Sequence, residues 1–167
     1  MDECKIWLDE VKQVFSKLNR KKITVNYKKM RSKQLGYVRA KIREKFNFDP
    51  EALLLGKNNK IKKRRLKPKE YEIYISERLQ KIKNLALRKE IIQHTLIHEL
   101  LHIENDDLIT LSKRFSRRKK KKIHINEFDE EVFKRFNKLR EIKGLMQIQK
   151  KEHLNIAINK ILESINW

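Results

Sequence analysis

The predicted fold and chemistry of this chain depend on one segment, IIQHTLIHELLHI at residues 91–103. Seven of its thirteen residues are aliphatic, and at about 100° per residue they cover most of a helix circumference. The pattern therefore predicts a helix over about 87–104 that lies inside the domain. Four ionisable side chains are set into this helix: His94, His98, Glu99 and His102. Burying such groups without partners costs about 1–3 kcal/mol each, so the segment indicates that something binds them.

Residues 98–102 form an HExxH motif, which indicates a metal ion as that partner. Histidines four positions apart project from one helix face, so both imidazoles can reach a single Zn²⁺ at about 2.0–2.1 Å. Glu99 lies about 100° round the helix from His98, where it can hold a water beside the metal. The motif thus predicts zinc bound by His98 and His102, with Glu99 as the general base. A short motif also arises by chance on solvated helices, but a surface helix would not carry this many aliphatic residues.

A hydrolytic zinc site needs a third protein ligand, and the sequence offers three candidates. His124 follows His102 by 22 residues and supplies a neutral imidazole, which suits zinc. Glu127 would instead complete a site with two histidines and one glutamate. His94 precedes His98 by one turn, but three histidines on one straight helix splay too far apart to share a tetrahedral ion. His124 is the preferred third ligand, with Glu127 as the alternative.

Composition sets the class of protein and the kind of partner. The 167 residues are enough for one domain with a proper core. A net charge of +21 favours a polyanionic partner such as nucleic acid, although lysine-rich surfaces also arise from thermal adaptation. We expect a soluble cytoplasmic or nucleoid-associated monomer without membrane contact, because no apolar run reaches 18 residues and the acidic start is unlike a signal peptide. The single Cys4 excludes an intrachain disulfide and a cysteine zinc ribbon.

Two basic tracts are predicted to bind nucleic acid, DNA or RNA. The tract at 57–69 follows Gly56 and contains turn-forming Asn and Pro residues. This composition predicts an exposed loop or hairpin tip. The tract at 113–122 has eight basic residues in ten, repels itself, and is predicted to be a mobile connector. A solvated loop is the alternative interpretation, and phosphate contacts would carry no base selectivity. The predicted contacts are Lys62, Lys63, Arg64, Arg65, Arg117, Arg118, Lys119, Lys120, Lys121 and Lys122.

The periodicity of the remaining segments predicts an α+β fold. Amphipathic spacing predicts helices at 3–18, from 128 onward and at 154–165. Alternation predicts strands at 23–27, 35–43 and 71–75. The second of these strands has a basic outer face made by Tyr37, Arg39, Lys41 and Arg43. Ser76 is placed to cap a short helix after the third strand, and Gly144 marks a break before the last helix.

The ordered motifs resemble those of the SprT-like metallopeptidases. The family pattern is a strand ending in serine, a spacer and TLxHExxH, matched here by Ile73-Tyr-Ile-Ser76 and by Thr95-Leu-Ile-His98-Glu99-Leu-Leu-His102. The family's third ligand is the histidine of HGxxF, to which His124-Ile-Asn-Glu-Phe128 is similar. An N-terminal helix and the strand with Leu35-Gly36 also fall in family order, so the likeness covers roughly residues 5–140.

The resemblance implies a zincin-like fold in which a small, mostly antiparallel sheet packs on helices around a buried HExxH helix. It implies a metallopeptidase domain at 1–143. Beyond the resemblance, the periodicity predicts an amphipathic C-terminal helix at 144–167 packed on the same domain. The resemblance also implies that His98, His102 and His124 bind zinc and that Glu99 is catalytic. The family includes Spartan-type proteases, which degrade proteins crosslinked to DNA.

This chain departs from the family pattern at two points. Ile125 stands where the family has glycine after the third histidine. Many members also end in a cysteine zinc ribbon, which a chain with one cysteine cannot form. DNA contact, single-stranded DNA included, is therefore expected from the two basic tracts.

Three functions are compatible with these motifs. The first is a zinc metallopeptidase acting on proteins associated with or crosslinked to DNA, with the substrate extended along a sheet edge. The alternative is a basic nucleic-acid-binding protein with a structural metal site and no proteolysis. A zinc hydrolase of non-peptide amides is the third. Tyr71, Tyr74 and the two basic tracts are candidates for the group that stabilises the oxyanion.

Overall fold

One buried helix, packed on a small sheet, forms the centre of the α+β structure. The computed structural model describes residues 3–30, 34–41, 44–47, 62–65, 68–105 and 126–165, with the backbone alone at 44–47 and 62–65. The helices are α1 (Glu3–Lys12), α2 (Leu85–Glu104), α3 (Asn126–Ile142) and α4 (Lys151–Ser164), with 3-10 turns at Ser16–Leu18 and Glu77–Lys81. The strands are β1 (Lys22–Lys28), β2 (Gly36–Lys41), β3 (Glu44–Asn47), β4 (Lys62–Arg65) and β5 (Glu70–Ser76).

Helix α2 is the predicted interior helix, and its burial is confirmed. All seven aliphatic residues of the segment are at most 2% exposed. The helix begins two residues earlier than predicted, because the Asn84 side chain caps it by accepting a hydrogen bond from the Leu87 N–H at 3.1 Å. At its other end the Lys21 ammonium donates to the Ile103 carbonyl at 3.1 Å. A cation at this end also interacts favourably with the helix dipole.

The three predicted strands are confirmed as β1, β2 and β5, which form one sheet in the order β1-β5-β2. β1 runs parallel to β5, and β2 runs antiparallel to it. The sheet is therefore mixed rather than mostly antiparallel. The expectation failed because alternation of side chains identifies strands but carries no information on their relative direction.

The tract predicted as an exposed loop or hairpin tip contains a strand. β4 pairs antiparallel with β3, with Glu44 opposite Arg65. In the main sheet, Lys41 at the end of β2 lies opposite Glu70. The loop interpretation is therefore wrong for 62–65, because cross-strand pairing outweighs the low strand propensity of lysine. Residues 57–61 and 66–67 lie outside the described residues.

Two local predictions near the sheet are also wrong. The helix predicted over 3–18 ends at Lys12, and a 3-10 turn then keeps Phe15 and Leu18 in the core at 0% and 1% exposure. Ser76 does not cap the turn that follows it with its side chain. Its extended backbone instead continues β5, and its N–H donates to the Leu35 carbonyl at 2.9 Å.

Helices α3 and α4 pack on the same core. Arg135 of α3 forms a salt bridge with Glu104 at the end of α2, at 2.7 Å, and its guanidinium lies 4.3 Å from the Phe15 ring centroid. α3 is followed by Gly144, whose φ of 67° is the left-handed conformation that favours glycine. The buried α4 residues Leu154 and Ile158 belong to the core cluster. No helix in the described ranges is both long and apolar enough to cross a membrane.

Gly36 allows β2 to approach α2, and replacing it with alanine is expected to destabilise the protein by about 1–3 kcal/mol. A Cβ there would lie 2.7 Å from the Thr95 methyl and 3.1 Å from the Tyr74 carbonyl oxygen. Thr95 is buried, and its hydroxyl bonds to the Ile91 carbonyl at 2.9 Å, so the methyl has little freedom to move. Urea unfolding measures the loss.

The Thr95→Ser variant provides the matched background for this test, because serine keeps the hydroxyl and lacks the methyl. The cost of Gly36→Ala should shrink in that background. An equal cost in both backgrounds would show that the methyl contact is not the cause.

Candidate metal centre

The two motif histidines lie side by side on α2 with the spacing of a chelating pair. Their ring centroids are 5.0 Å apart, and the ring planes cross at 76°. Two imidazoles bound to one tetrahedral zinc at about 2.0–2.1 Å would place their centroids about 5 Å apart. His102 is 9% exposed, and His98 is half-buried. The distance between the rings is therefore compatible with both imidazoles binding one metal ion, and His98 is the more exposed of the two.

The first turn of α3 lies against both histidines. The Phe128 ring centroid is 5.0 Å from that of His98 and 4.6 Å from that of His102, with the second pair stacked at 27°. Phe128 is itself buried. Such contacts also occur in ordinary cores, but here they bring the chain just after His124 to the face that carries the motif.

The candidates for the third ligand are placed unequally. His124 lies outside the described residues. Glu127 is on the first turn of α3, next to Phe128, and is exposed. No group of three His, Cys, Asp or Glu able to hold a metal occurs within the described ranges. Of the three predicted ligands, these ranges contain His98 and His102.

His94 packs on α3, one turn before the motif. Its ring meets Phe136 edge-on, at 5.5 Å and 86°. Burial lowers the pKa of His94 to about 4, and the nearby Asp129 carboxylate opposes this shift only in part. His94 is therefore neutral near pH 7 and packs against α3.

Glu99 is a buried carboxyl group held at the edge of the sheet. It is 6% exposed, and burial raises its pKa to about 7. The backbone N–H of Val38 donates a hydrogen bond to the carboxylate, which lowers the pKa by a smaller amount. A carboxyl group that titrates near neutral pH has the property required of a general base.

The Val38 N–H is available to Glu99 because β2 is an edge strand of the described sheet. In an antiparallel pair, every second residue of a strand hydrogen-bonds to the neighbouring strand. The bond from the Ser76 N–H to the Leu35 carbonyl shows that Leu35, just before β2, is one of these residues. Odd-numbered β2 residues bond to β5, so the backbone groups of Gly36, Val38 and Ala40 face away from it. Sequence reasoning missed this partner of Glu99, because a backbone N–H carries no residue signature.

The two tyrosines considered for the oxyanion donate elsewhere. The Tyr71 hydroxyl donates to the Pro68 carbonyl at 3.1 Å, and the Tyr74 hydroxyl donates to Glu72 at 3.0 Å. Adjacent positions of β5 alternate between buried and half-buried, so Tyr74 lies on the face opposite the core. Neither contact supports a role beside Glu99.

None of the ten predicted nucleic-acid contacts has a described side chain. Lys62, Lys63, Arg64 and Arg65 form β4, where the backbone alone is described. Arg117, Arg118, Lys119, Lys120, Lys121 and Lys122 lie outside the described residues, as does the whole tract at 113–122.

Comparison with protein-family models, curated proteins and solved structures finds no significant match to this chain. The SprT-like resemblance therefore remains a prediction that rests on the motif residues.

Proposed function

We propose that this chain is a zinc-dependent metallopeptidase of SprT-like type. The observation that carries the proposal is the arrangement of His98, Glu99 and His102. Two histidines with chelating spacing flank a carboxyl group that is buried and hydrogen-bonded to the edge strand. A solvated helix with a chance HExxH sequence would not bury this carboxyl group, since burial of an unpaired acid is costly.

His98 and His102 would hold the zinc ion, with His124 as the third ligand and Glu127 as the alternative. His124 precedes Phe128 by four positions in the sequence, and Phe128 contacts both histidines, which supports a third ligand from this side. When bound, zinc would act as a Lewis acid on the scissile carbonyl and on water.

Glu99 would act as the general base. It would accept a proton from the attacking water and return it to the leaving amine. Burial raises the pKa of the metal-free carboxyl group to about 7, and a bound cation would lower that pKa and favour the ionised, basic form. The bond from the Val38 N–H orients the carboxylate. Because that donor belongs to the backbone, its position depends on the sheet rather than on a mobile side chain.

The substrate would lie extended along β2. The backbone groups of Gly36 and Ala40 and the Val38 carbonyl face away from β5 and offer positions to which an extended peptide can add as a further strand. The Val38 N–H is engaged by Glu99. Glu99 is bonded to the middle of this edge, so an added peptide would pass beside the general base. This placement favours a peptide substrate over a small amide.

The substrate proteins would be those bound or crosslinked to DNA. A net charge of +21 supports association with nucleic acid by counterion release, which weakens steeply with salt. Proteolysis of a DNA-bound substrate should therefore fall with ionic strength more steeply than proteolysis of a free peptide.

Metal content tests the proposal directly. About one zinc per chain is expected in the wild type, and little in His98→Ala or His102→Ala, since each removes a ligand. Elemental analysis after reconstitution at neutral pH gives the answer. His153→Ala is the matched control, because His153 is exposed on α4 and its loss should leave zinc unchanged.

The third ligand follows from the same measurement on two further variants. Zinc should be lost in His124→Ala and kept in Glu127→Ala if His124 is the ligand, and the reverse would identify Glu127. No zinc in the reconstituted wild type would contradict the peptidase and favour a basic nucleic-acid-binding protein.

A further inference from the structure

The outer face of the β1-β5-β2 sheet carries a pair of tyrosines away from the core. Tyr37 lies directly opposite Tyr74 in the β2–β5 register. Their ring centroids are 4.9 Å apart, with an interplanar angle of 28°. Both side chains are half-buried, whereas Ile73 and Ile75, the neighbours of Tyr74 on the inner face, are 0% exposed.

Cations surround the tyrosine pair on this face. The Lys28 ammonium lies 2.8 Å from the Tyr37 hydroxyl, and 4.9 Å from the Tyr74 ring centroid. Arg39 is exposed two positions along β2 from Tyr37, on the same face. The aromatic pair therefore faces outward, with the Lys28 ammonium over both rings, 5.5 Å from the Tyr37 ring centroid. A stacking base would displace this ammonium toward its own phosphate.

The charges of the outward-facing residues favour an anionic partner. The cations at outward positions of the three strands are Lys22, Lys28, Arg39 and Lys41, and the carboxylates are Glu70 and Glu72. Glu72 is engaged by the Lys41 ammonium at 2.9 Å and by the Tyr74 hydroxyl at 3.0 Å. The face therefore has an excess of positive charge on a chain of net charge +21.

We propose that this face binds single-stranded nucleic acid, with bases stacked on Tyr37 and Tyr74 and with phosphates contacted by Lys28 and Arg39. Every base has a π-face, so aromatic side chains on an open sheet accept bases without sequence preference. A duplex hides those faces within its own stack and could use only the cations. The inference names a surface for the nucleic-acid partner of the proposed function, and it does not require peptide hydrolysis.

A cross-strand tyrosine pair also stabilises a sheet by itself, so stability cannot test the proposal. The assay is fluorescence anisotropy of labelled oligothymidylate with the full chain. In the double variant Tyr37→Leu, Tyr74→Leu, the affinity should fall about tenfold to a hundredfold. The matched Tyr37→Phe, Tyr74→Phe variant keeps both rings and should bind within about twofold of wild type.

A charge pair of variants separates phosphate contact at this face from general attraction. Arg39→Gln should weaken binding and reduce the salt slope by about one. Lys160→Gln removes one charge from an exposed position on α4 and should leave the slope nearly unchanged. Equal effects of the two variants would overturn the proposal.

Photocrosslinking provides a readout that does not depend on the variants folding. An oligonucleotide with iododeoxyuridine should form adducts with Tyr37 or Tyr74 of the wild-type protein. Adducts confined to other segments would overturn the proposal, as would equally tight binding of the matched duplex. Because neither assay involves zinc or hydrolysis, their failure is distinguishable from failure of the peptidase proposal.

Discussion

Replacing Glu99 with glutamine is expected to lower peptide hydrolysis by a factor of about 10²–10⁴, the contribution of a positioned general base. Glutamine has nearly the same shape, and its carbonyl oxygen can still accept the hydrogen bond from the Val38 N–H. It cannot accept the proton of the attacking water. The loss should therefore appear in kcat, with zinc content and fold retained.

Hydrolysis of a fluorogenic peptide by the zinc-loaded protein measures this loss. Glu90→Gln is the matched control, since Glu90 lies on the same helix and pairs with Arg140 away from the motif. That variant should keep its activity. If Glu99→Gln retained more than about a tenth of wild-type activity, Glu99 would not be the general base.

A second outcome distinguishes the alternative function. A wild-type protein that binds zinc but hydrolyses no peptide, with or without DNA, would favour a structural metal. In that case the zinc content would still follow His98 and His102, and only the activity assay would separate the two proposals.

The sequence predicted the central helix well because burial leaves a strong pattern. Aliphatic residues on most sides of the helix predict that it lies in the interior. All seven aliphatic residues of segment 91–103 are buried. The HExxH spacing likewise predicted that His98 and His102 would share a face, and their rings lie 5.0 Å apart. Both predictions use contacts within one helix, for which spacing alone is sufficient.

Contacts between distant segments were beyond this kind of reasoning. The direction of β1 relative to β5 depends on the path of the chain between these two strands, and side-chain alternation carries no information on that path. The bond from the Val38 N–H to Glu99 joins backbone to side chain across 61 positions of sequence. Gly36 gave no hint that its missing Cβ lets β2 approach Thr95.

The outer sheet face shows a prediction that was right locally and incomplete. Alternation placed Tyr37, Arg39 and Lys41 on one face, and their outward positions agree with it. It could not show that Tyr37 meets Tyr74, because register between strands depends on turns and bulges. The aromatic pair is therefore a finding of the structure alone.

Metal-free Glu99→Gln is expected to be more stable than metal-free wild type at pH 8, although the substitution removes a charged group. Burial raises the pKa of Glu99 from 4.5 to about 7, so between these pH values the folded protein keeps a proton that the unfolded chain has lost. At pH 8 the carboxylate is ionised in both states, and the folded state bears the cost of its burial. The stability of the neutral carboxyl group is complete below about pH 4.5 and is lost as the pH rises through about 7. Glutamine does not titrate and escapes this loss.

The expected gain of Glu99→Gln is about 3 kcal/mol larger at pH 8 than at pH 4, from about 1.4 kcal/mol per unit of pKa difference. Urea unfolding at both pH values in a chelator measures it, and comparing the two values cancels any fixed effect of the substitution. Saturating zinc should abolish the gain, because a nearby cation favours the ionised carboxylate. An identical difference at the two pH values would mean that Glu99 is not buried at a cost to stability. The expected pH dependence would instead indicate that Glu99 is kept for function, since a core position with no chemical role is better filled by a neutral side chain.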